Sequence, residues 1–284
     1  PVSAKRYTRS NSFVFVIANL SKSSEVPASA AATVIESVTV NTPEEDIYRN
    51  TLDPFSAKVD ILINGTNCKT WVTNEKIRQK QKTINQKVGE MHQSIVGFFE
   101  GWDDLGEGSV IDVVNHERNI IAEIKNKYNT TKGNHKKVIY DDLNNSLKTT
   151  YPGYISYYVE ILPLKQKIYN KPFTPSDNEN NKTRRDLIQK YKATGNKEYQ
   201  VKANSIETNR AANEKIRVID GLSWYTMVSG DNNFVYDLYN KHLINAIKYS
   251  HLQTNNQYLK TPLSKLLEDD SQLDEFLNKA YKLD

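Results

Sequence analysis

The spacing of apolar residues predicts one long helix followed by a pair of strands. From Asn74 onward, apolar positions recur at intervals of three, four and seven residues, which is the spacing of one helical face. These positions are Ile77, Ile84, Val88, Met91, Ile95 and Phe98. Gly101 and the following "WDDLGEG" predict the end of this helix. Two segments rich in Val and Ile, 109–115 and 119–126, follow with a few polar residues between them, and this pattern predicts a β-hairpin.

A helix and further strands are predicted after the hairpin. Residues 136–149 carry apolar side chains four apart, which favours a helix, and the β-branched and aromatic segment 154–162 favours a strand. The chain from 119 to 162 therefore has the form of a right-handed βαβ unit. Another strand is predicted at 215–220. This order predicts an α/β fold in which helices flank a mixed β-sheet.

The remaining segments have a less regular pattern. The first 73 residues mix apolar and small residues, so we expect irregular structure there with short strands or helices. Residues 163–214 are rich in Lys, Asn, Arg and Thr, and we expect them to face solvent or a partner rather than the core. Helices are predicted near 232–249 and 261–282. We expect one compact domain with three parts, at residues 1–73, 74–230 and 231–284.

Composition narrows the class of protein without identifying a function. The 284 residues are 38% hydrophobic and 25% charged, as in an ordinary soluble globular chain. A net charge of +4 permits a polyanionic partner but does not require one. Cys68 is the only cysteine, which excludes an internal disulfide and a cysteine-rich zinc site and favours a reducing cytoplasm. No apolar run approaches the roughly 18 residues needed to span a bilayer, so no membrane partner is expected.

The N-terminal region resembles a secretory signal in the order of its parts. Lys5, Arg6 and Arg9 precede the apolar run at 13–20, and small residues follow at 28–32. The polar segment "SKSSEVP" separates the apolar run from the small residues, and the run itself is short for a signal. We therefore expect that this region does not direct secretion.

Three charged residues interrupt the apolar strands of the predicted hairpin. Glu123 and Lys125 are two apart on the second strand, so they share one face about 7 Å apart, while Ala122 and Ile124 point the other way. Asp112 lies on the first strand and can come alongside Glu123 across the hairpin. Burying such charges costs several kcal/mol unless a partner or a metal ion compensates them.

This combination of residues is suited to hydrolysing a phosphodiester. Two converging carboxylates form an oxygen-rich site for Mg²⁺, and a neighbouring ammonium can orient an attacking water or help deprotonate it. The alternative is a solvent-exposed ion pair, since composition alone gives about three acid-x-Lys triplets in such a chain. Placement favours catalysis, because Glu123-Ile124-Lys125 is the only such triplet in the sequence and lies on an apolar strand paired with an Asp-bearing strand.

The same residues resemble a known nuclease signature. Asp112, Glu123 and Lys125 are similar to the PD-(D/E)XK motif, and the predicted element order is similar to the core of that superfamily, although Ile111 replaces the proline. Residues 50–225 further resemble a family of type II restriction endonucleases that cut GGNCC-type sites. The strings that carry this resemblance are "GEMHQSIVG", "GWDDL", "VIDVVNHERNIIAEIKNKYNTTKGN", "YYVEILP", "YNKPFTPSD" and "IRVIDG".

The resemblance implies a role for each residue of the motif. Asp112 and Glu123 are expected to ligate Mg²⁺, with the main-chain carbonyl of Ile124 as a further ligand. Lys125 is expected to act on the nucleophilic water. Glu90, on the long helix, is a candidate additional acid, and an exposed Glu90 without a catalytic role is the alternative.

Two polar segments are candidates for contacts with DNA. The basic stretch that follows the catalytic strand offers side chains suited to phosphates, and a loop stiffened by two prolines offers side chains suited to base edges. A solvated loop and a structural turn are the respective alternatives. The candidate residues are Lys127, Asn129, Thr131, Lys132 and Asn134 in the first segment and Lys171, Thr174, Ser176 and Asp177 in the second.

Together with this resemblance, the sequence predicts a Mg²⁺-dependent type II restriction endonuclease that cuts double-stranded DNA at GGNCC-like sites and leaves 5′-phosphate ends. A two-fold site is matched by a homodimer, and a DNA methyltransferase is expected in the same system as a separate protein. Candidate interface residues in the C-terminal helices are Phe234, Leu238, Leu243, Ile244 and Ile247. The alternatives are a structure-selective or repair nuclease of the same superfamily and a DNA-binding protein with an idle site.

Overall fold

Six strands form one mixed sheet in the part of the chain that the structure describes. The structure is a computed structural model and describes Ile47 and residues 50–106, 108–129, 131, 133–243 and 270–281. The strands are β1 (Trp102–Asp104), β2 (Val113–Asn115), β3 (Ile120–Lys127), β4 (Ile155–Leu162), β5 (Asn170–Pro172) and β6 (Ile216–Asp220). Their spatial order is β1-β2-β3-β4-β6-β5. The β1–β2, β2–β3 and β5–β6 pairs are antiparallel, whereas β3, β4 and β6 are parallel. The predicted mixed sheet with helices is confirmed.

Helices accompany the sheet, and five of the eight described here begin at a polar side-chain cap. They are α1 (Pro54–Ile63), α2 (Cys68–Val96), α3 (Gly133–Thr149), α4 (Asn178–Thr194), α5 (Lys197–Asn204), α6 (Gly221–Ser229), α7 (Phe234–Asp237) and α8 (Asp270–Tyr281). The long helix α2 begins before the predicted Asn74, because the Asn67 side chain accepts a 3.0 Å hydrogen bond from the Thr70 N–H and so caps an earlier turn.

Each face of the sheet has its own apolar core. On one face, Ala122 and Ile124 of β3 belong to a cluster with Ile95 of α2 and Trp224 of α6. On the other face, Ile121 belongs to a cluster with Leu143 of α3, as the alternation of side chains along a strand requires. We call this second side the α3 face. Glu123 and Lys125 alternate with Ala122 and Ile124 and so lie on the α3 face, towards the carboxyl end of β3.

The polar insert between β4 and β6 contains more structure than the sequence indicated. It includes β5, α4 and α5, and most of its side chains are exposed, as expected. The expectation that it lies outside the core is wrong for several residues, among them Phe173 and Ala203, which are buried. The Phe173 ring stacks on the Tyr158 ring with centroids 4.8 Å apart. An aromatic side chain of the insert therefore completes the core beneath β4.

The C-terminal helices contribute to the core of the same chain. Phe234 and Leu238, predicted at a dimer interface, are buried in the cluster that contains α6, so this interface prediction needs correction for both. Leu243 is partly buried against the same cluster. Ile244 and Ile247 lie outside the described residues, as do residues 1–46 with the signal-like region and parts of both predicted C-terminal helices. In the part of the chain that the structure describes, no helix is both long and apolar enough to cross a membrane.

His92 of α2 is buried in the core and should make stability depend on pH. Its Nδ1 shares a 2.8 Å hydrogen bond with the Tyr225 hydroxyl of α6, and burial lowers the pKa of His92 to about 4. The unfolded chain titrates near the ordinary value, so it binds more protons than the folded chain between these two pKa values, and stability falls as the pH falls from 6.5 towards 4. This linkage amounts to about 2 kcal/mol between pH 7.5 and 4.5.

Between pH 7.5 and 4.5, we expect the free energy of unfolding to fall by about 2 kcal/mol less in the His92→Leu variant than in the wild type. Urea unfolding at both pH values measures the difference, and the His135→Gln variant controls for loss of an exposed histidine. An equal loss in His92→Leu and wild type would show that His92 does not cause the dependence.

Candidate active site

The strand register brings Asp112 beside Glu123. Val113, the first residue of β2, lies opposite Ala122 of β3, and Asp112 directly precedes it. The Ile124 N–H donates a 2.6 Å hydrogen bond to Oδ2 of Asp112, and Asp112 is only 9% exposed. The carboxylate of Asp112 is thus held at the point where the β2–β3 ladder ends.

Lys125 completes a cluster of three charged side chains at this end of the ladder, where Glu123 and Lys125 share the α3 face of β3. Its Nζ lies 2.5 Å from Oε1 of Glu123, and the two side chains are 33% and 13% exposed, respectively. The core side chains Ala122 and Ile124 occupy the alternate positions of the strand. The structure therefore brings together Asp112, Glu123 and Lys125, which the sequence analysis had placed on neighbouring strands.

Burial makes both carboxylates costly to ionise. It raises the pKa of Asp112 above its ordinary value, although the Ile124 N–H and the nearby Lys125 charge act in the opposite direction. Burial and, secondarily, the charge of Asp112 raise the pKa of Glu123 to about 7, against the opposing effect of Lys125. Two buried carboxyls of this kind, in which the charge of Asp112 disfavours that of Glu123, are a donor set whose ionised form a hard divalent cation would stabilise.

Asp112 and Glu123 would supply two carboxylate ligands for such a cation. Among the described residues there is no group of three or more His, Cys, Asp and Glu side chains arranged to hold a metal ion. Asp112 and Glu123 alone would therefore leave most coordination positions to main-chain oxygen, water and substrate. This composition is typical of Mg²⁺ sites, where one or two carboxylates act together with waters and substrate phosphates.

Gln93 of α2 is a site residue that the sequence analysis missed. Its side chain hydrogen-bonds the Asp112 carboxylate, which lowers the pKa of Asp112 slightly. Glu90 lies one turn earlier on the same helix and is partly exposed, with its Oε2 2.5 Å from Nζ of Lys87 and its Oε1 accepting a 3.2 Å hydrogen bond from Gln86. The contacts of Glu90 are thus with side chains of its own helix. A neutral amide such as Gln93 gives no charge signal by which a sequence could reveal it.

A second acidic residue lies on the next strand of the sheet. Glu160 of β4 pairs in register with Lys125 and is only 4% exposed. It forms an ion pair with Lys136 of α3 and accepts a hydrogen bond from the Tyr169 hydroxyl. The sequence carried the same signal here as at Glu123, a carboxylate on an apolar strand, but the sequence analysis assigned Glu160 no role.

Most described candidates for DNA contact are at least partly exposed. Lys127 is partly exposed, and the exposed candidates are Asn129, Lys171, Thr174 and Ser176. Lys132 lies outside the described residues, and the Asn134 side chain does too. Thr131 is buried, so its predicted contact with DNA needs correction.

Asp177 also needs correction. It is 3% exposed and caps α4 by accepting hydrogen bonds from the N–H groups of Glu179 and Asn180, at 3.1 and 3.0 Å. Its carboxylate lies 3.3 Å from Nζ of Lys137. Because backbone N–H groups and a lysine already bind this carboxylate, the contacts of Asp177 indicate a structural role as the cap of α4 rather than a role in reading bases.

Comparison with known proteins assigns the chain to a family. The Eco47II restriction endonuclease family matches residues 27–249. The chain is 35% identical over 209 residues to the type II restriction enzyme Eco47II of Escherichia coli, a match that covers 72% of this chain and 76% of that enzyme. It is 27% identical over 189 residues to the type II restriction enzyme Sau96I of Staphylococcus aureus, covering 66% of this chain and 63% of that enzyme. The chain therefore belongs to the Eco47II restriction endonuclease family.

Proposed function

We propose that this protein is a Mg²⁺-dependent, sequence-specific endonuclease that hydrolyses phosphodiester bonds of double-stranded DNA. The observation that carries the proposal is the convergence of Asp112, Glu123 and Lys125 at the end of the β2–β3 ladder, with two carboxyls whose pKa values are raised. Membership of a restriction endonuclease family supports the same reaction.

Asp112 and Glu123 would hold the metal ion through their carboxylate oxygens. The N–H and C=O of a strand residue point to the same side, so the carbonyl of Ile124 points to the edge where its N–H meets Asp112. This direction supports the Ile124 carbonyl as a further ligand. When bound, Mg²⁺ supplies neutralisation of phosphate charge and a lowered pKa for bound water.

Lys125 and Gln93 would support the reaction in different ways. The Lys125 ammonium, partly exposed beside Glu123, would orient the attacking water by a hydrogen bond to its oxygen. That oxygen bonds to phosphorus as the 3′ oxygen of the preceding nucleotide leaves with a proton, which gives a 5′-phosphate and a 3′-hydroxyl. Gln93 would hold the Asp112 carboxylate in position. Glu90, one turn from Gln93, stays a candidate additional acid.

The proposed substrate is double-stranded DNA with a two-fold recognition site. Exposed polar residues on either side of β4, among them Asn129 and Thr174, offer contacts to double-stranded DNA. GGNCC-like sites are proposed as targets from the resemblance of the motif strings. A homodimer would match the two-fold symmetry of such a site. We also propose a cytoplasmic bacterial setting with a separate cognate DNA methyltransferase.

Digestion of a plasmid of known sequence tests this function directly. We expect a fixed set of fragments in the presence of Mg²⁺, because a sequence-specific enzyme cuts each copy at the same positions. Sequencing the fragment ends would give the recognition site and the chemistry of the ends. Cleavage confined to branched or damaged DNA would instead indicate a structure-selective or repair nuclease, and binding without cleavage under all conditions would indicate an idle site.

A further inference from the structure

A lysine-lined groove lies on the α3 face of the sheet, beside the candidate active site. Its volume is about 460 Å³, and its wall includes Lys136 of α3, Glu160 of β4 and residues of the connection from β4 to β5. Glu160 pairs in register with the catalytic candidate Lys125, and adjacent strands are about 4.8 Å apart. The groove therefore begins one strand away from the residues proposed to act on the scissile phosphate.

The charges of the groove favour an anionic ligand. Four lysines line it, Lys136, Lys165, Lys167 and Lys171, and Glu160 is the one acid among the lining residues. Within the part of the chain that the structure describes, Lys165, Lys167 and Lys171 have no ion-pair partner, and all three are exposed. Their positive charges are thus available to a ligand, which distinguishes the groove from an ordinary surface of mixed charge.

Glu160 organises one wall of the groove without neutralising it. Its two oxygens bind Lys136 and the Tyr169 hydroxyl, so its charge is engaged by these two groups. The Lys136 ammonium also lies 5.5 Å from the ring centroid of Tyr158, the residue opposite Glu123 in the strand register. This places a second ammonium next to the strand that carries the catalytic candidates. Lys171 in turn lies over the Tyr169 ring at 5.5 Å.

The backbone of the β4–β5 connection has an uncommon conformation at one of these lysines. Lys165 has a φ of 55°, in the left-handed region of backbone conformation that residues other than Gly, Asn and Asp rarely adopt. Pro163 precedes this turn and Pro172 ends β5, and both limit the freedom of the connection. A conformation of this kind persists only where the surrounding structure holds it, and such residues cluster at functional sites.

We propose that this groove binds backbone phosphates of the DNA that flanks the scissile bond. Lys136 lies nearest the catalytic residues, and the phosphates farther along the DNA strand are bound by Lys165, Lys167 and Lys171. The inference rests on the proposed endonuclease function and adds to it a backbone-binding surface. Lys171 then contacts phosphate, rather than the base edge predicted from the sequence. Glu160 is a positioning residue that holds Lys136 and Tyr169. Because phosphates carry no sequence information, these lysines contribute affinity and orientation, while selectivity comes from other residues.

The salt dependence of binding tests this proposal. Wild type and the Lys165→Gln/Lys167→Gln and Lys171→Gln variants are titrated with two duplexes in Ca²⁺ over a range of KCl concentrations, with fluorescence anisotropy as the readout. One duplex carries a sequence cut in the plasmid digest, and the other is scrambled. Each phosphate contact releases counterions, so we expect the slope of log affinity against log salt to become shallower by about one unit per lysine removed. Affinity for both duplexes should fall by a similar factor.

Lys148→Gln is the matched control, since Lys148 is an exposed lysine at the far end of the helix that carries Lys136. It should leave the slope unchanged. Lys136→Gln should also reduce the slope, and Lys136→Arg should restore it. A slope equal to that of wild type in the Lys165→Gln/Lys167→Gln variant would overturn the proposal even if the plasmid is cut. Absence of plasmid cleavage would overturn the nuclease function, while the scrambled duplex would still test the groove.

Discussion

Replacing Asp112 by Asn, or Glu123 by Gln, is expected to abolish DNA cleavage while the protein remains folded and binds DNA. Each substitution keeps the size of the side chain and removes one of the two carboxylates that would hold Mg²⁺. Since metal-ion stabilisation of a phosphoryl transition state is worth several kcal/mol, we expect the cleavage rate to fall by at least about a thousandfold.

The fold of both variants should be intact, because burial disfavours the charge that they remove. Burial raises the pKa of Asp112 and of Glu123, so at pH 7.5 a neutral side chain at either position avoids an unfavourable ionised state in the metal-free protein. Thermal unfolding in EDTA should therefore give a Tm no lower than that of the wild type. A lower Tm would mean that lost cleavage reflects damage to the fold.

Single-turnover cleavage of a saturating cognate duplex is the measurement that isolates the chemical step. Asp103→Asn is the matched control, because Asp103 is an exposed carboxylate on β1 of the same sheet. It should cleave at the wild-type rate. Cleavage by Asp112→Asn or Glu123→Gln within about tenfold of wild type, a difference of only 1.4 kcal/mol in the barrier, would refute the assignment of that carboxylate as a metal ligand.

The centre of the sheet could be predicted because its signals are local. The apolar residues of β3 and β4 form continuous segments, and α3 between them has a regular helical period. Two-residue alternation then fixes which side chains of β3 share a face, and the hairpin brings Asp112 alongside. The juxtaposition of the three charged residues thus followed from spacing alone.

Elements at the margins of the sheet could not be predicted in the same way. β1 and β5 are three residues long, too short for an alternation to be recognised, and β5 pairs with a strand that lies far along the chain. The burial of Phe173 likewise depends on its stacking against Tyr158, which no local pattern shows. Tertiary packing, rather than intrinsic preference, determines these parts of the fold.

The site residues that were missed or misassigned have related causes. Gln93 is neutral and reaches Asp112 only because α2 packs against the sheet. Asp177 was predicted to contact base edges because it lies in a loop stiffened by two prolines, yet an aspartate immediately before a helix is a common N-cap. The cap went unrecognised because α4 has a highly polar sequence, so the helix that Asp177 begins was itself not predicted.

Removal of divalent metal ions is expected to stop cleavage completely without preventing sequence-specific binding. Protein treated with EDTA should not cut the plasmid, and Mg²⁺ should restore full activity. Ca²⁺ binds oxygen ligands of the same kind but with longer bonds and more flexible geometry. It should therefore support binding of the cognate duplex while giving little or no cleavage.

The dependence of Tm on Mg²⁺ concentration reports metal binding separately from catalysis. Mg²⁺ that binds only the folded protein raises its stability, by about 2.7 kcal/mol at a concentration one hundred times the Kd. Wild type and Asp103→Asn should therefore show a Tm that rises with Mg²⁺, and this rise should be lost in Glu123→Gln. Cleavage in EDTA would exclude the metal-dependent mechanism. An equal rise of Tm in Glu123→Gln would instead show that Mg²⁺ binds elsewhere, because the one carboxylate removed would then not be among its ligands.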